Sequence, residues 1–244
     1  MGNEGKHAPI SGNSPEREYY LNLEIDAEYQ DYCRQFDQRI AERYRRKAEE
    51  IRAHLAPYVD LESAHILDLG CGRGAYGRIL MGSRGRVTGL DLNFTELCLA
   101  KEVAGENQNY TFGNGYSLPF ASKIFDLVLC RHTLEHLSRP EEFLSEIHRV
   151  TKRSGVCYLS TPNLFSGSCV LTTADGRKWL DHKLTGKNRG VHRLYSLGSL
   201  RSAALGVGFE RLEALPVPAF ASFRVPSFLQ WIRPTLKVVL FRKY

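Results

Sequence analysis

Residues 65–74, running from His65 to Gly74 as H-I-L-D-L-G-C-G-R-G, set a short apolar run directly against a turn with glycine at every second position. Ile66, Leu67 and Leu69 form the pattern of a strand buried in a sheet. Gly70, Gly72 and Gly74 let the backbone bend sharply and approach a ligand with no Cβ in the way. A helix starting near Tyr76 would aim its first N–H groups at that ligand. A second apolar strand, Arg86 to Leu90, ends at Asp91, seventeen residues beyond Gly74. A carboxylate there can accept hydrogen bonds from both hydroxyls of a ribose.

Two kinds of cofactor satisfy that much. Taken as G-x-G-x-x-A through Gly70, Gly72 and Ala75, the turn meets the dinucleotide fingerprint, which keeps a nicotinamide-dependent oxidoreductase open. Asp68 argues the other way. A carboxylate just before the first glycine opposes a pyrophosphate, whereas through backbone or water it can bond the ammonium of a nucleoside that bears an amino acid. D-L-G-C-G-R-G followed by G-L-D-L-N (Gly89 to Asn93) resembles the class I S-adenosylmethionine-dependent methyltransferases. The resemblance continues at Leu118-Pro119-Phe120, at F-D-L-V-L (Phe125 to Leu129), at H-T-L-E-H-L (His132 to Leu137) and at L-S-T-P-N (Leu159 to Asn163). One glycine turn can be mere packing; these landmarks in this order span roughly residues 60 to 212.

The resemblance implies an α/β fold: a Rossmann-like, doubly wound, mostly parallel seven-stranded sheet with helices on both faces. It also implies S-adenosylmethionine as cofactor and S-adenosylhomocysteine as product. Asp68, Gly70, Gly72 and Gly74 would hold the methionine end, with Cys71 inside the same turn. Asp91 would take the ribose, Leu92 would pack on the adenine, and Arg131 would border the cofactor. The family's commoner acidic residue before L-P-F is replaced here by Asn114 followed by Gly115; the Asn114 carbonyl oxygen can still meet the adenine amino group.

Composition agrees with a globular enzyme. A chain of 244 residues can bury one sizeable core, and 43% hydrophobic with 25% charged residues is ordinary. No apolar run reaches the ~18 residues of a membrane-crossing helix. The N-terminus has neither a signal-peptide apolar region nor a myristoylation pattern, so a cytoplasmic protein is expected. Cys33, Cys71, Cys98, Cys130, Cys157 and Cys169 form no C-x-x-C pair and suit reduced core positions. Of the net charge of +6, five units come from Arg224, Arg233, Lys237, Arg242 and Lys243, after the last acidic residue, Glu213. The core is left nearly neutral, without a stripe for a phosphate backbone, and a DNA partner is not expected.

Four segments follow from the pattern. Residues 1–15 are rich in Gly, Pro, Asn and Ser and suit a disordered N-terminus. Residues 16–58 suit an N-terminal helical cap of two helices, with Tyr29, Cys33, Phe36, Ile40, Tyr44 and Ile51 at helical spacing and Pro57 ending it. Residues 59–213 form the cofactor-binding core, with strands at 65–69, 86–90, 109–112, 124–130 and 155–160 and helices at 75–82, 94–104, 140–151 and 196–206. That alternation calls for a parallel, doubly wound sheet. Within the core, 161–198 is a long basic connection suited to acceptor choice, carrying Arg177, Lys178, Trp179, His182, Lys183, Lys187 and Arg189. Its charge suits an acceptor with a carboxylate or phosphate. Tyr19 and Tyr20 are candidates for a lid.

The last segment, 214–244, interleaves Phe220, Phe223, Phe228, Trp231 and Phe241 with cations and no anions. Peripheral contact with an anionic membrane, or an edge strand with a homodimer contact, are its two expectations.

Methyl transfer from a sulfonium is an in-line displacement with a neutral leaving group, so alignment and proton removal are the protein's main duties. His132 and His136 are the candidate catalytic residues. Both lie just past the fourth strand, where an open α/β sheet places its ligand crevice. Imidazole titrates near physiological pH and suits a general base. A bland alternative has Glu135 and His136 merely opening a turn. H-x-x-E-H also resembles the ion-binding E-x-x-E-H of quinone-biosynthesis and small-RNA-end O-methyltransferases, with His192 as a further ligand. No metal is assigned on this basis. A small organic acceptor methylated at oxygen or nitrogen is the expected substrate; 2′-O-methylation of an RNA 3′ end and a non-catalytic, cofactor-binding regulatory role are the alternatives.

Overall fold

The computed structural model describes residues 27–163, 194–215 and 235–242. Seven strands form one sheet: β1 (His65–Leu69), β2 (Arg86–Asp91), β3 (Gln108–Phe112), β4 (Phe125–Arg131), β5 (Thr151–Pro162), β6 (Phe209–Ala214) and β7 (Thr235–Arg242). Their order is β3-β2-β1-β4-β5-β7-β6. The first five strands pair in parallel, and β7 runs antiparallel to both β5 and β6. The chain steps outward from β1 to β3, then returns to lay β4 on the other side of β1. That reversal opens a crevice at the C-terminal ends of β1 and β4.

Among the described residues, five helices cover the sheet: α1 (Ala27–Leu55), α2 (Ala75–Leu80), α3 (Phe94–Glu102), α4 (Pro140–Val150) and α5 (Leu197–Gly206). Their starts follow from local chemistry. Asn93 Oδ1 accepts from the Glu96 N–H at 3.1 Å to begin α3, and Ser196 forms a reciprocal capping box with Ser199 at α5. At α4, Pro140 takes the first turn with Glu141 and Glu142, while His148 and Arg149 occupy the last, the arrangement the helix dipole favours. Ala48, Ile51 and Leu55 of α1 pack with Leu80 of α2 on one face, over Ile66, Val87, Leu127, Leu129 and Val239. On the other face, Phe143, Leu144 and Ile147 of α4 and Leu200 and Ala204 of α5 cover Leu67, Val128, Cys130, Cys157 and Leu240.

The architecture is the expected one, with differences in detail. The described part of the N-terminal cap, Ala27–Leu55, is one uninterrupted helix, in keeping with its lack of Gly and Pro. β5 is longer than 155–160, since β7 pairs with its whole C-terminal half, from Val156 to Pro162. β7 is not an edge strand: it lies between β5 and β6, and β6 takes the edge. Val238, Val239 and Leu240 are fully buried there, so this part of the basic-aromatic segment belongs to the core and offers no membrane surface. Phe220, Phe223, Phe228 and Trp231, the loop cations from Arg177 to Arg189, Tyr19, Tyr20, His192, Cys169 and residues 1–15 lie outside the described residues. Cys130 and Cys157 are buried free thiols, pushed up by burial, and Cys71 and Cys98 are half-buried and free. No helix among the described residues is long and apolar enough to cross a membrane.

Candidate active site

The glycine turn has the backbone its sequence predicts. Gly70, Gly72 and Gly74 all have positive φ, at 67°, 50° and 70°, a region that side-chain-bearing residues enter only at a cost. Asp91, at the end of β2, holds the turn in place: Oδ2 accepts from the Gly72 N–H at 2.7 Å and Oδ1 from the Asn93 N–H at 2.8 Å. Burial pushes the Asp91 carboxyl up, with those N–H donors pulling the other way. Beside it a cavity of about 230 Å³ is walled by Leu69, Leu90, Leu92, Leu137 and Phe143, with Asn114, Gly115, Tyr116 and His136 completing the lining. Apolar walls with the carboxylates of Asp91 and Glu96 in the lining suit an adenosine, Glu96 being paired to Arg73 at 2.8 Å. Asn114 uses its Oδ1 to accept from the Tyr116 N–H at 3.0 Å, which shapes the turn before L-P-F.

A second cavity, about 170 Å³, lies on the other side of the turn, lined by Asp68, Gly70, Cys71, Gly72, Tyr76 and Arg131 among others. Asp68 is buried, and its Oδ2 accepts from the Gly77 N–H at 3.1 Å. Burial pushes its carboxyl up to about 6, while the Gly77 N–H and the Arg131 charge pull it down. The Arg131 guanidinium carbon lies over the Tyr76 ring, 3.4 Å from its centroid, and Tyr44 of α1 meets Tyr76 edge-on. One wall thus offers a carboxylate and the other a guanidinium. That pair matches the ammonium and carboxylate of an amino-acid zwitterion.

His132 stands between this crevice and α1. Its φ of 51° places a histidine in the left-handed region, and its N–H donates to the Ser160 carbonyl of β5 at 2.8 Å. The ring is 45% exposed, and its Nδ1 lies 3.2 Å from Oε1 of Glu135, whose side chain is only 3% exposed. Glu135 Oε2 accepts from the Thr161 hydroxyl at 3.3 Å. A buried carboxylate on Nδ1 favours the tautomer protonated there, which leaves the Nε2 lone pair available. His136 follows in the same single 3₁₀ turn, Leu134–His136, and lines the adenosine-sized cavity. Among the described residues, no three His, Cys, Asp or Glu side chains gather as a metal site.

Of the candidate residues from Asp68 to His136, all but Gly74 line one or other of these two cavities. Sequence reasoning missed Tyr76, which carries Arg131, and gave Glu135 a turn-opening or ion-binding role but not that of orienting His132. The i,i+3 spacing of His132 and Glu135 was the available signal.

The sheet order, the glycine turn after β1 and the carboxylate closing β2 are those expected of a class I S-adenosylmethionine-dependent methyltransferase domain. Residues 67–159 match the family described as Methyltransferase domain. Among similar curated proteins, the Probable methyltransferase ltbC of Aspergillus luteorubrus is 32% identical over 153 residues, 56% of this chain and 53% of that protein. The ubiquinone biosynthesis O-methyltransferase of Coxiella burnetii is 28% identical over 113 residues, 45% of this chain and 48% of that protein. The chain spans about half the length of these relatives. The fold is also that of an S-adenosylmethionine dependent methyltransferase from Mesorhizobium loti: TM-score 0.58, 23% identity, 78% of this chain and 96% of that one.

Proposed function

We propose that this chain transfers a methyl group from S-adenosylmethionine to an oxygen or nitrogen of a small organic acceptor. When bound, the cofactor supplies an activated methyl on sulfur. Asp91 and the walls of the larger cavity hold the adenosine, with Asn114, Gly115 and Leu92 at the base; Asp68 and Arg131 hold the two charged groups of the methionine end. His132 receives the acceptor's proton at Nε2, and Glu135 keeps the ring in that tautomer and bears part of the charge that develops. His136 helps to shape the adenosine end.

The observation that carries this reading is the position of His132, oriented by a buried carboxylate and lining both the adenosine-sized cavity and the small cavity beneath α1. The O-methyltransferase activity named for the Coxiella relative favours oxygen as the acceptor atom.

The first test is a calorimetric titration with S-adenosylhomocysteine, with NAD as the comparison. Micromolar binding of the former alone supports the donor assignment; binding of NAD alone, or of neither, sinks it. Transfer of a labelled methyl to a panel of phenols and amines, lost in His132→Ala with cofactor affinity retained, would then establish the base. Full activity in that variant would show that alignment alone carries the step.

A further inference from the structure

Across β4, β5 and β7 three sets of residues stand in register: Leu127, Val156 and Phe241, then Leu129, Tyr158 and Val239, then Arg131, Ser160 and Lys237. Residues opposite one another on paired strands share a face, and alternate residues repeat it. The three rungs therefore climb one side of the sheet, the side that α1 covers. The lower two pack under Ala48, Ile51 and Leu55 of α1. The top rung, at the ligand end, is polar throughout.

Above it α1 contributes Lys47 and Glu50, and Lys237 Nζ donates to Glu50 Oε1. With His132 these residues enclose a cavity of about 20 Å³, room for about one oxygen-sized group. Ser160 is 2% exposed, yet neither its Oγ nor Arg131 Nε has a hydrogen-bond partner among the described residues. Buried polar atoms left unmet at a ligand crevice point to a missing partner.

The charge specifies what that partner is. Lys47, Arg131 and Lys237 face one carboxylate, Glu50, and Asp68 stands beyond Arg131 in the neighbouring cavity. Burial, followed by the Lys237 and Arg131 charges, holds Lys47 below its ordinary value, with Glu50 pulling the other way. Cations are crowded there without enough anion. The position specifies its source. The two cofactor-sized cavities lie at the ends of β2, β1 and β4, whereas the rung runs from β4 out to β7, beyond His132.

We propose that this rung is an oxyanion subsite in which Ser160, Lys237 and Lys47 receive one oxygen of a carboxylate or phosphate carried by the methyl acceptor, setting its nucleophile beside His132. The inference rests on the methyl-transfer reading of the site. A carboxylate is also present on the methionine end of the cofactor, and the experiment separates the two.

The protein is saturated with S-adenosylhomocysteine and titrated with inorganic phosphate, followed by phosphorus NMR. Phosphate is expected to bind the saturated protein and to bind about tenfold more weakly in Ser160→Ala and in Lys47→Met, each removing a charge-assisted contact. S-adenosylhomocysteine affinity should stay within about threefold in both variants, since neither residue lines a cofactor-sized cavity. Ser160→Ala keeps the strand and its backbone pairing, so it remains informative if Lys47→Met fails to fold. Phosphate that binds only without S-adenosylhomocysteine, and is displaced by it, would give the rung to the cofactor's carboxylate and overturn the proposal. Equal phosphate binding by wild type and both variants would overturn it too. Failure of wild type to bind S-adenosylhomocysteine is seen before phosphate is added and would remove the methyl-transfer reading itself, with the acceptor assignment.

Discussion

Gly70 and Thr133 interlock across the crevice: a Cβ on Gly70 would lie 2.2 Å from Thr133 Oγ1, the same atom that donates to the carbonyls of Leu69 and Arg131 at 3.2 Å. One hydroxyl thereby ties the end of β1 to the end of β4 and fills the space a side chain at residue 70 would need. Gly70→Ala is expected to cost about 3 kcal/mol or more, from the clash together with about 1–2 kcal/mol for the left-handed backbone. Chemical denaturation measures it. A loss under 1 kcal/mol would mean the turn is looser than the contact implies.

Asp91→Ala removes the acceptor of the Gly72 and Asn93 N–H groups along with the proposed ribose contact. S-adenosylhomocysteine affinity should fall about a hundredfold, with a smaller loss of stability of about 1–3 kcal/mol. Unchanged affinity in a folded variant would show that the ribose is held elsewhere.

Asp68 yields two pH dependences of opposite sign. Its folded pKa is about 6 against an ordinary 3.8, so the folded state holds the proton more tightly. The associated stability is fully present below about pH 4 and is lost as pH rises through about 6, a change on the order of 2–3 kcal/mol. Asp68→Asn should therefore gain stability relative to wild type over that window. Cofactor binding runs the other way, because an ammonium needs the ionised carboxylate: affinity should weaken as pH falls below about 6 and be flat in Asp68→Asn. Urea melts and calorimetry at pH 5 and pH 7.5 test both signs, and parallel profiles for the two proteins would discard the assignment.

At residue 132 backbone and side chain make opposing demands. The left-handed φ of His132 suits glycine, while the proposed chemistry needs imidazole. His132→Gly should be more stable than His132→Ala by about 1 kcal/mol, with both variants slow in methyl transfer. Equal melting of the two would show that the backbone relaxes on substitution.

The sequence carried the cofactor half of the crevice because that half is local. Gly70 to Gly74 form one turn, Asp91 ends the next strand, and each motif signals its own position. The parallel, doubly wound pairing of β1 to β5 likewise follows from strand and helix alternation, although their order does not. The rung of Arg131, Ser160 and Lys237 was not legible: Ser160 stands in L-S-T-P-N, but only the registers of strands far apart in the chain set it beside Arg131 and Lys237. β7 was misjudged as an edge for the same reason: V-V-L reads as an apolar strand, but which neighbours it takes is decided by pairing on both sides. The continuity of α1 could have been read from its lack of Gly and Pro.

The insertion of β7 between β5 and β6 also sets an order of assembly. Until residues 235–242 leave the ribosome, β5 has a free edge and β6 has no partner in the sheet, so both depend on a strand made well after them. The proposed oxyanion subsite is completed by that same strand, through Lys237. A chain cut before Thr235 should keep the glycine turn but expose a sticky strand edge and aggregate, so that the sheet is closed only once β7 has been made.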